Sequence, residues 1–138
     1  MAVSEIVVRP GSAGPSWSPR ARLRAFADAG RGLVGLFADE AHAWIHLAAS
    51  VAAVALGLWL GLGVRDWCWI ALAIALVWMA EALNTALENL ADALHPGEHP
   101  GVGRAKDRSA AAVLVAALAA VVIGVLVLGP PLWERLAG

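Results

Sequence analysis

Glu81, Asn84, Glu88 and Asp92 follow one another at intervals of three and four residues. On a helix they fall within about 80° of arc, on a single stripe. The positions between them are mostly Ala, Leu and Thr, and the run before them, from Trp67 to Ala80, is purely apolar. A carboxylate at membrane depth is costly and marks function by default. Three carboxylates on one stripe repel one another unless they are protonated or neutralised. A divalent cation is a natural neutraliser, and hard oxygen ligands suit Mg²⁺, which keeps several waters and reaches protein through one or two carboxylates plus substrate phosphates.

Two further groups belong with the stripe. Glu40 stands just ahead of the first apolar segment, and Lys106-Asp107, flanked by Arg104 and Arg108, stands just ahead of the third. Phosphoryl transfer needs metal ligands, a cation for the phosphates and a base for the attacking hydroxyl, and these residues supply all three. The same stripe also suits an ion or proton path, with Glu81 as the intramembrane carboxylate of a small proton-coupled transporter. It suits a structural helix–helix interface as well. Lys106-Asp107 separates the first two readings, because a minimal exporter has no use for a phosphate-binding lysine there.

These residues must be held by helices in lipid. Of 138 residues, 60% are hydrophobic and only 15% charged, and mean hydropathy is +0.71. A soluble domain is nearer 45–50% apolar and about 25% charged, so lipid is the expected solvent. A net charge of −1 gives no case for a nucleic-acid partner. Spanning a core of about 30 Å takes about 20 helical residues. Three spans are predicted, at about 43–64, 67–92 and 108–128, within one membrane domain covering 21–138. The second span reaches full length only by continuing through Glu81 to Glu88, which sets Glu81 about 21 Å along the axis from Trp67, near one membrane face.

Charge sets the orientation. Arg9, Arg20, Arg22, Arg24 and Arg31 precede the first span, and Arg104, Lys106 and Arg108 follow the second, against Arg65 and Arg135 on the other side. The positive-inside rule puts the N-terminus and the 95–108 loop in the cytoplasm. Leu23, Phe26, Gly30, Leu33, Val34 and Phe37 recur at helical spacing, as in an amphipathic helix lying on the membrane surface. Residues 1–20 are polar and rich in Gly, Pro and Ser, without the pattern of a secretory signal, and are expected to form a disordered tail. Gly57 and Gly61 form a GxxxG spacing in the first span, a pattern that permits close helix packing.

Other motifs carry less. Gly30–Gly35 matches GxGxxG but follows no strand, so the dinucleotide-binding context is absent. His95-Pro96-Gly97-Glu98-His99 matches HxxEH, yet Pro96 and Gly97 make it a turn rather than the helix that zinc chemistry needs. There is no GxxxxGK[ST] loop. The single cysteine, Cys68, lies in an apolar run and forms neither a disulfide framework nor a cysteine metal site.

The run Glu81-Ala82-Leu83-Asn84-Thr85-Ala86-Leu87-Glu88-Asn89-Leu90-Ala91-Asp92 resembles the signature of the small bacterial integral-membrane diacylglycerol kinases, a family that includes undecaprenol kinases. Gly103-Arg104-Ala105-Lys106-Asp107, followed by Ala110–Leu114, resembles its second block at the expected separation. The resemblance covers roughly residues 31–128. It implies an all-α membrane protein with an N-terminal surface helix and three transmembrane helices. It further implies a homotrimer in the bacterial inner membrane, with active sites shared between neighbouring subunits near the cytoplasmic interface. It implies ATP as donor, with Mg²⁺, and either diacylglycerol or undecaprenol as acceptor. By motif, Glu81 is the general base, Glu88 and Glu40 hold Mg²⁺-ATP, Lys106 meets phosphate, and Asn84 and Asp107 support the nucleotide and metal site. Asp92 matches a conserved acid that serves equally as a ligand or as a helix-end structural part. Arg104 and Arg108 face phosphate or anionic lipid. Around Glu40 many undecaprenol-type relatives read E-x-N-x-R-I-H. This chain keeps Glu40, Ile45 and His46 but has His42 and Trp44 in place of the polar and basic residues. His46 is expected to form an interhelical hydrogen bond.

Overall fold

The computed structural model describes residues 18–39 and 41–138. They form four helices: α1 (Pro19–Asp39), α2 (Ala41–Leu60), α3 (Val64–Leu94) and α4 (Pro100–Ala137). The chain divides into two compact units, residues 1–32 and 33–138. In the first, Leu23 and Phe26 lie exposed on α1, and Asp28 pairs with Arg31 one turn on. In the second, Leu36 is buried, and the Phe37 ring packs against Trp44 of α2 and Trp78 of α3, with centroids 5.3 and 5.4 Å away.

Three helices are long and apolar enough to cross a membrane: His42–Leu60, Val64–Leu94 and Pro100–Ala137. The central one is α3, which packs mainly on α4, while α2 touches both. Its buried residues are Ile70, Ala73, Val77, Glu81, Asn84 and Thr85. They recur every three or four positions, as one helix face must, and the face changes from apolar to polar at Glu81. Helix α4 buries none of its residues. Its Leu114, Leu118, Val122 and Leu126 all point outward, a continuous apolar surface that lipid or neighbouring helices must cover.

The first of the three apolar helices, α2, stops at Leu60, short of the expected 64, and the cause is Gly61. Its φ is +70°, a left-handed conformation that costs an L side chain roughly 1–2 kcal/mol. Gly61 N–H donates to Leu58 C=O at 3.2 Å and Leu62 N–H to Gly57 C=O at 3.1 Å, the paired bonds of a Schellman stop. Gly57 fits the same turn, since a Cβ there would come within 3.0 Å of Leu62 Cδ1 and 3.1 Å of the Trp67 ring. The GxxxG pair is therefore a helix terminator that seats the α2–α3 turn. Gly57 also lets Trp67 of α3 approach α2 closely, as the spacing permits, while Gly61 lies outside the helix.

The third helix is longer than expected and runs through Pro130 and Pro131 to Ala137. Proline's fixed φ suits a helix, and only the missing N–H groups and the ring clash oppose it. The far end is tied down by Arg135, which donates to the Trp59 carbonyl at 2.8 Å and lies 4.9 Å from the Trp59 ring centroid. At the other end His99 caps α4, its Nδ1 accepting from Gly101 N–H at 3.1 Å, with Pro100 opening the first turn. Residues 95–99 thus form a non-helical turn, with the His95 and His99 rings 5.1 Å apart.

Replacing Gly61 by Ala should lower the stability of the detergent-solubilised protein by about 1 kcal/mol, with Gly61→Asn costing less. Thermal unfolding of the three proteins measures this, and an unchanged midpoint for Gly61→Ala would mean that the turn does not require the left-handed conformation.

Candidate active site

Three groups of the polar stripe of α3, Glu81, Asn84 and Asp92, each meet a partner from another helix. Glu81 is deepest and 4% exposed. Its Oε1 lies 2.8 Å from Nε2 of His46 on α2. A bare carboxylate at that depth would cost several kcal/mol, so the imidazole N–H is what lets it stay. The His46 backbone carbonyl accepts from Ser50 Oγ at 2.7 Å, and Ser50 Oγ in turn accepts from Trp78 Nε1 at 3.2 Å. The α2–α3 contact beside His46 is therefore stitched by hydrogen bonds.

One turn along, buried Asn84 joins α3 to α4. Its Oδ1 accepts from Ser109 Oγ at 2.6 Å, and its Nδ2 donates to Glu88 Oε1 at 3.2 Å. Glu88 is half-buried. Ser109 Oγ also lies 2.8 Å from the carbonyl oxygen of Lys106. Further along, Lys106 Nζ meets Asp92 Oδ1 at 2.6 Å. Thus Glu81, Asn84, Glu88, Asp92 and Lys106 come together in one column at the junction of α2, α3 and α4. Asp107, Arg104 and Arg108 are exposed on α4 beside it. Glu40 lies outside the described residues.

Depth orders the column. At about 1.5 Å per residue, Glu81 stands about 26 Å from Val64, Glu88 about 36 Å and Asp92 about 42 Å. A hydrocarbon core of about 30 Å that begins near Val64 encloses Glu81 and ends before Glu88 and Asp92. Two cavities flank the column. One, of about 260 Å³, lies in the apolar depth and is lined by His46, Ser50, Ala53, Ala73, Ala117 and Gly124, among others. The other, of about 680 Å³, lies at the 95–99 turn and includes Asp92, His95, Glu98, His99 and Lys106 in its lining. A hydrophobic space thus opens beside His46, the partner of Glu81, and a polar one beside Lys106.

Among the described residues no group of three or more His, Cys, Asp or Glu side chains is placed to hold a metal ion. HxxEH accordingly forms no zinc site, and GxGxxG lies within α1 rather than in a loop. The donors present are single carboxylates with an amide beside them. Such a set fits a cation delivered by nucleotide phosphates, which Mg²⁺ tolerates because it keeps much of its own water. Sequence reasoning had no place for Ser109, and it treated Asp92 and Lys106 separately. A serine among alanines carries no signal of its own until the packing of α4 on α3 sets it against Asn84. Thr85 is 5% exposed, and its hydroxyl has no hydrogen-bond partner among the described residues. It stands one turn beyond Glu81.

His46→Ala should destabilise the protein by about 1–3 kcal/mol, because it leaves the Glu81 carboxylate unpaired. Combining it with Glu81→Gln should restore part of the loss. Thermal unfolding of the single and double variants checks this, and strictly additive losses would show that the pair is uncoupled.

The family profile for prokaryotic diacylglycerol kinase matches residues 27–128. The chain is 35% identical over 110 residues to a protein of Bacillus subtilis named undecaprenol kinase, which covers 80% of this chain and 89% of the relative. It is 39% identical over 112 residues to one of Synechocystis sp. named diacylglycerol kinase, which covers 80% of this chain and 63% of the relative. The match takes in the whole α3 stripe, Lys106 and most of α4, and on this ground the chain belongs to the prokaryotic diacylglycerol kinase family.

Proposed function

We propose that this protein transfers the γ-phosphoryl group of ATP to the hydroxyl of a membrane lipid, either diacylglycerol or undecaprenol. The observation that carries the reading is the order of groups along α3. A buried, imidazole-paired carboxylate lies beside an apolar cavity, and a lysine-bearing polar cavity lies beyond it toward water. A lipid substrate has its chain in the hydrocarbon and its hydroxyl near the interface, whereas ATP arrives from water. The column spans the gap between them.

In this mechanism Glu81 accepts the proton of the lipid hydroxyl. Its Oε1 is held by His46, so the carboxylate is fixed in orientation and Oε2 is the oxygen that takes the proton. The lipid oxygen forms its bond to the γ-phosphorus as the bond from that phosphorus to the β,γ-bridging oxygen breaks, and ADP leaves with the electron pair. Lys106 exchanges Asp92 for nucleotide phosphate and offsets its charge. Asn84 orients Glu88, and Asp107 supports the nucleotide from α4. Glu88 and Glu40 are the residues that would hold Mg²⁺, which when bound neutralises phosphate charge as bond order shifts. Transition states of this kind need positioning and electrostatics more than covalent chemistry, and the residues of this column supply both.

The same reading places the N-terminus and the 95–108 loop in the cytoplasm, with α1 as an amphipathic surface helix. The subunits assemble as a homotrimer in the inner membrane, with sites completed by neighbours. The unburied apolar surface of α4 and the exposed Trp44 and Ile45 of α2 support an assembly that covers more of the chain than one subunit does alone. A proton-coupled transporter built on Glu81 is not favoured, since it gives Lys106 and the polar cavity no task.

Purified protein in mixed micelles, supplied with labelled Mg²⁺-ATP, should phosphorylate diacylglycerol, undecaprenol or both. Glu81→Gln should assemble normally and lose at least about a hundredfold in kcat, the usual worth of a general base. Lys106→Ala should raise the KM for ATP more than that for lipid. No product from either lipid with folded protein would overturn the kinase, and normal turnover in Glu81→Gln would overturn the base assignment.

A further inference from the structure

Ser109 sits where two demands meet. A hydroxyl has one proton to give, and Ser109 Oγ has two acceptors within reach, Asn84 Oδ1 at 2.6 Å and the Lys106 carbonyl at 2.8 Å. The Lys106 carbonyl lies in the interior of α4, whose own ladder offers it an N–H donor. Asn84 has no such alternative. A carboxylate only accepts, so the Asn84 amide must turn its NH₂ toward Glu88. Its carbonyl then faces α4, inside the bundle, and needs a donor there. Asn84 is a buried residue, and a buried carbonyl without a donor costs about 1–3 kcal/mol. Position 109 supplies that donor, from the first turn after Lys106-Asp107.

We propose that Ser109 is a positioning residue. Its hydroxyl anchors the Asn84 amide to α4, and through it the rotamer in which Glu88 is presented to the Mg²⁺ of the nucleotide. This inference rests on the kinase reading above and names a residue which that reading does not use. The chain of bonds runs from α4 to α3 and back along α3. The segment that carries the phosphate-binding lysine and the carboxylate that takes the cation are thereby held to one register. Without the hydroxyl, the buried amide carbonyl has no donor on α4. The Asn84 side chain then gains by turning that carbonyl away from α4, and its NH₂ no longer holds Glu88 in one place.

The test is equilibrium binding of a non-hydrolysable ATP analogue with Mg²⁺ to the full-length protein in micelles, alongside lipid phosphorylation and thermal unfolding. Ser109→Ala should weaken Mg²⁺-analogue binding about tenfold, the worth of one buried hydrogen bond to a polar partner. The KM for lipid should not change, and Ser109→Thr, which keeps the hydroxyl, should bind nearly as the unaltered chain does. In an Asn84→Ala background, Ser109→Ala should have no further effect. Three results would overturn the proposal: Ser109→Ala binding like the unaltered chain, Ala and Thr variants weakened alike, or the Ala effect persisting without Asn84. The last would assign the role to the Lys106 carbonyl. An unaltered chain that neither binds the Mg²⁺-analogue nor phosphorylates lipid would instead remove the kinase reading, and this inference with it.

Discussion

A carboxylate held within a helix at membrane depth has to be matched by something, and the organisation of this protein follows from how Glu81 is matched. His46 meets it from α2 at 2.8 Å, which fixes the rotation of α2 relative to α3 and the level at which they touch. Once that level is set, the α2–α3 turn must be short. The Schellman stop at Gly61 makes it so, with Leu62 and Trp67 packed where Gly57 leaves room. Asn84 and Asp92 then fall about one and three turns further along and meet α4 rather than α2. Hydrophobic attraction does not order helices against lipid as it does against water, so small residues and polar bridges take over the task of specifying contacts. Among the described residues such bridges join the helices at successive levels: Arg135–Trp59, Trp78–Ser50, His46–Glu81, Ser109–Asn84 and Lys106–Asp92.

Much of this was legible in the sequence because membrane helices leave little choice. Three apolar runs, a continuous second helix and the turn at Pro96-Gly97 follow from length, the lack of breakers and proline chemistry. The stripe of Glu81, Asn84, Glu88 and Asp92 follows from helical periodicity alone. What was not legible depends on relations between helices. His46 and Glu81 stand 35 positions apart, and no periodicity fixes the relative rotation of two spans. Ser109 looked like one more small residue on an alanine-rich helix. Asp92 and Lys106 could be paired only once the 95–99 turn was known to bring α4 straight back along α3. The glycine pair does more than its spacing shows: Gly57 leaves room for Leu62 and Trp67, and only the positive φ of Gly61 reveals that the pair also ends the helix. Likewise Gly129-Pro130-Pro131 looks like a stop, yet α4 continues to its anchor at Arg135 and Trp59.

The proposed chemistry makes sense of a gradient that would otherwise be expensive. Carboxylates are cheapest in water, and an enzyme that acted on a soluble alcohol would have no reason to sink one below the interface. A lipid hydroxyl can rise only so far without dragging its chain out of the hydrocarbon, at about 0.8 kcal/mol for each methylene exposed. The base must therefore go down to meet it. ATP, with its charged phosphates, cannot follow, so the phosphate-binding lysine and the cation-holding carboxylate must stay near water. A single straight helix, with its polar residues spaced along one face, is an economical means of holding both ends of such a reaction at fixed separation. The rise per residue of α3 then sets the distance between base and phosphate.

The Lys106–Asp92 pair fits into the same logic. A lysine at the edge of a membrane, left alone, is drawn to anionic headgroups, and a phosphate-binding site that fills with lipid phosphate would compete with its own substrate. Asp92 gives Lys106 a partner that is close at 2.6 Å yet largely exposed. An exposed ion pair contributes little to stability, on the order of 1 kcal/mol or less. Such a partner is strong enough to hold the ammonium in position over the 95–99 turn and weak enough to yield to a nucleotide bearing several negative charges. A buried pair at the same place would have been too costly to break. Under the proposed function the exposure of Asp92 would let Lys106 be released, in contrast with Glu81, where burial and the His46 partner would hold the base in place.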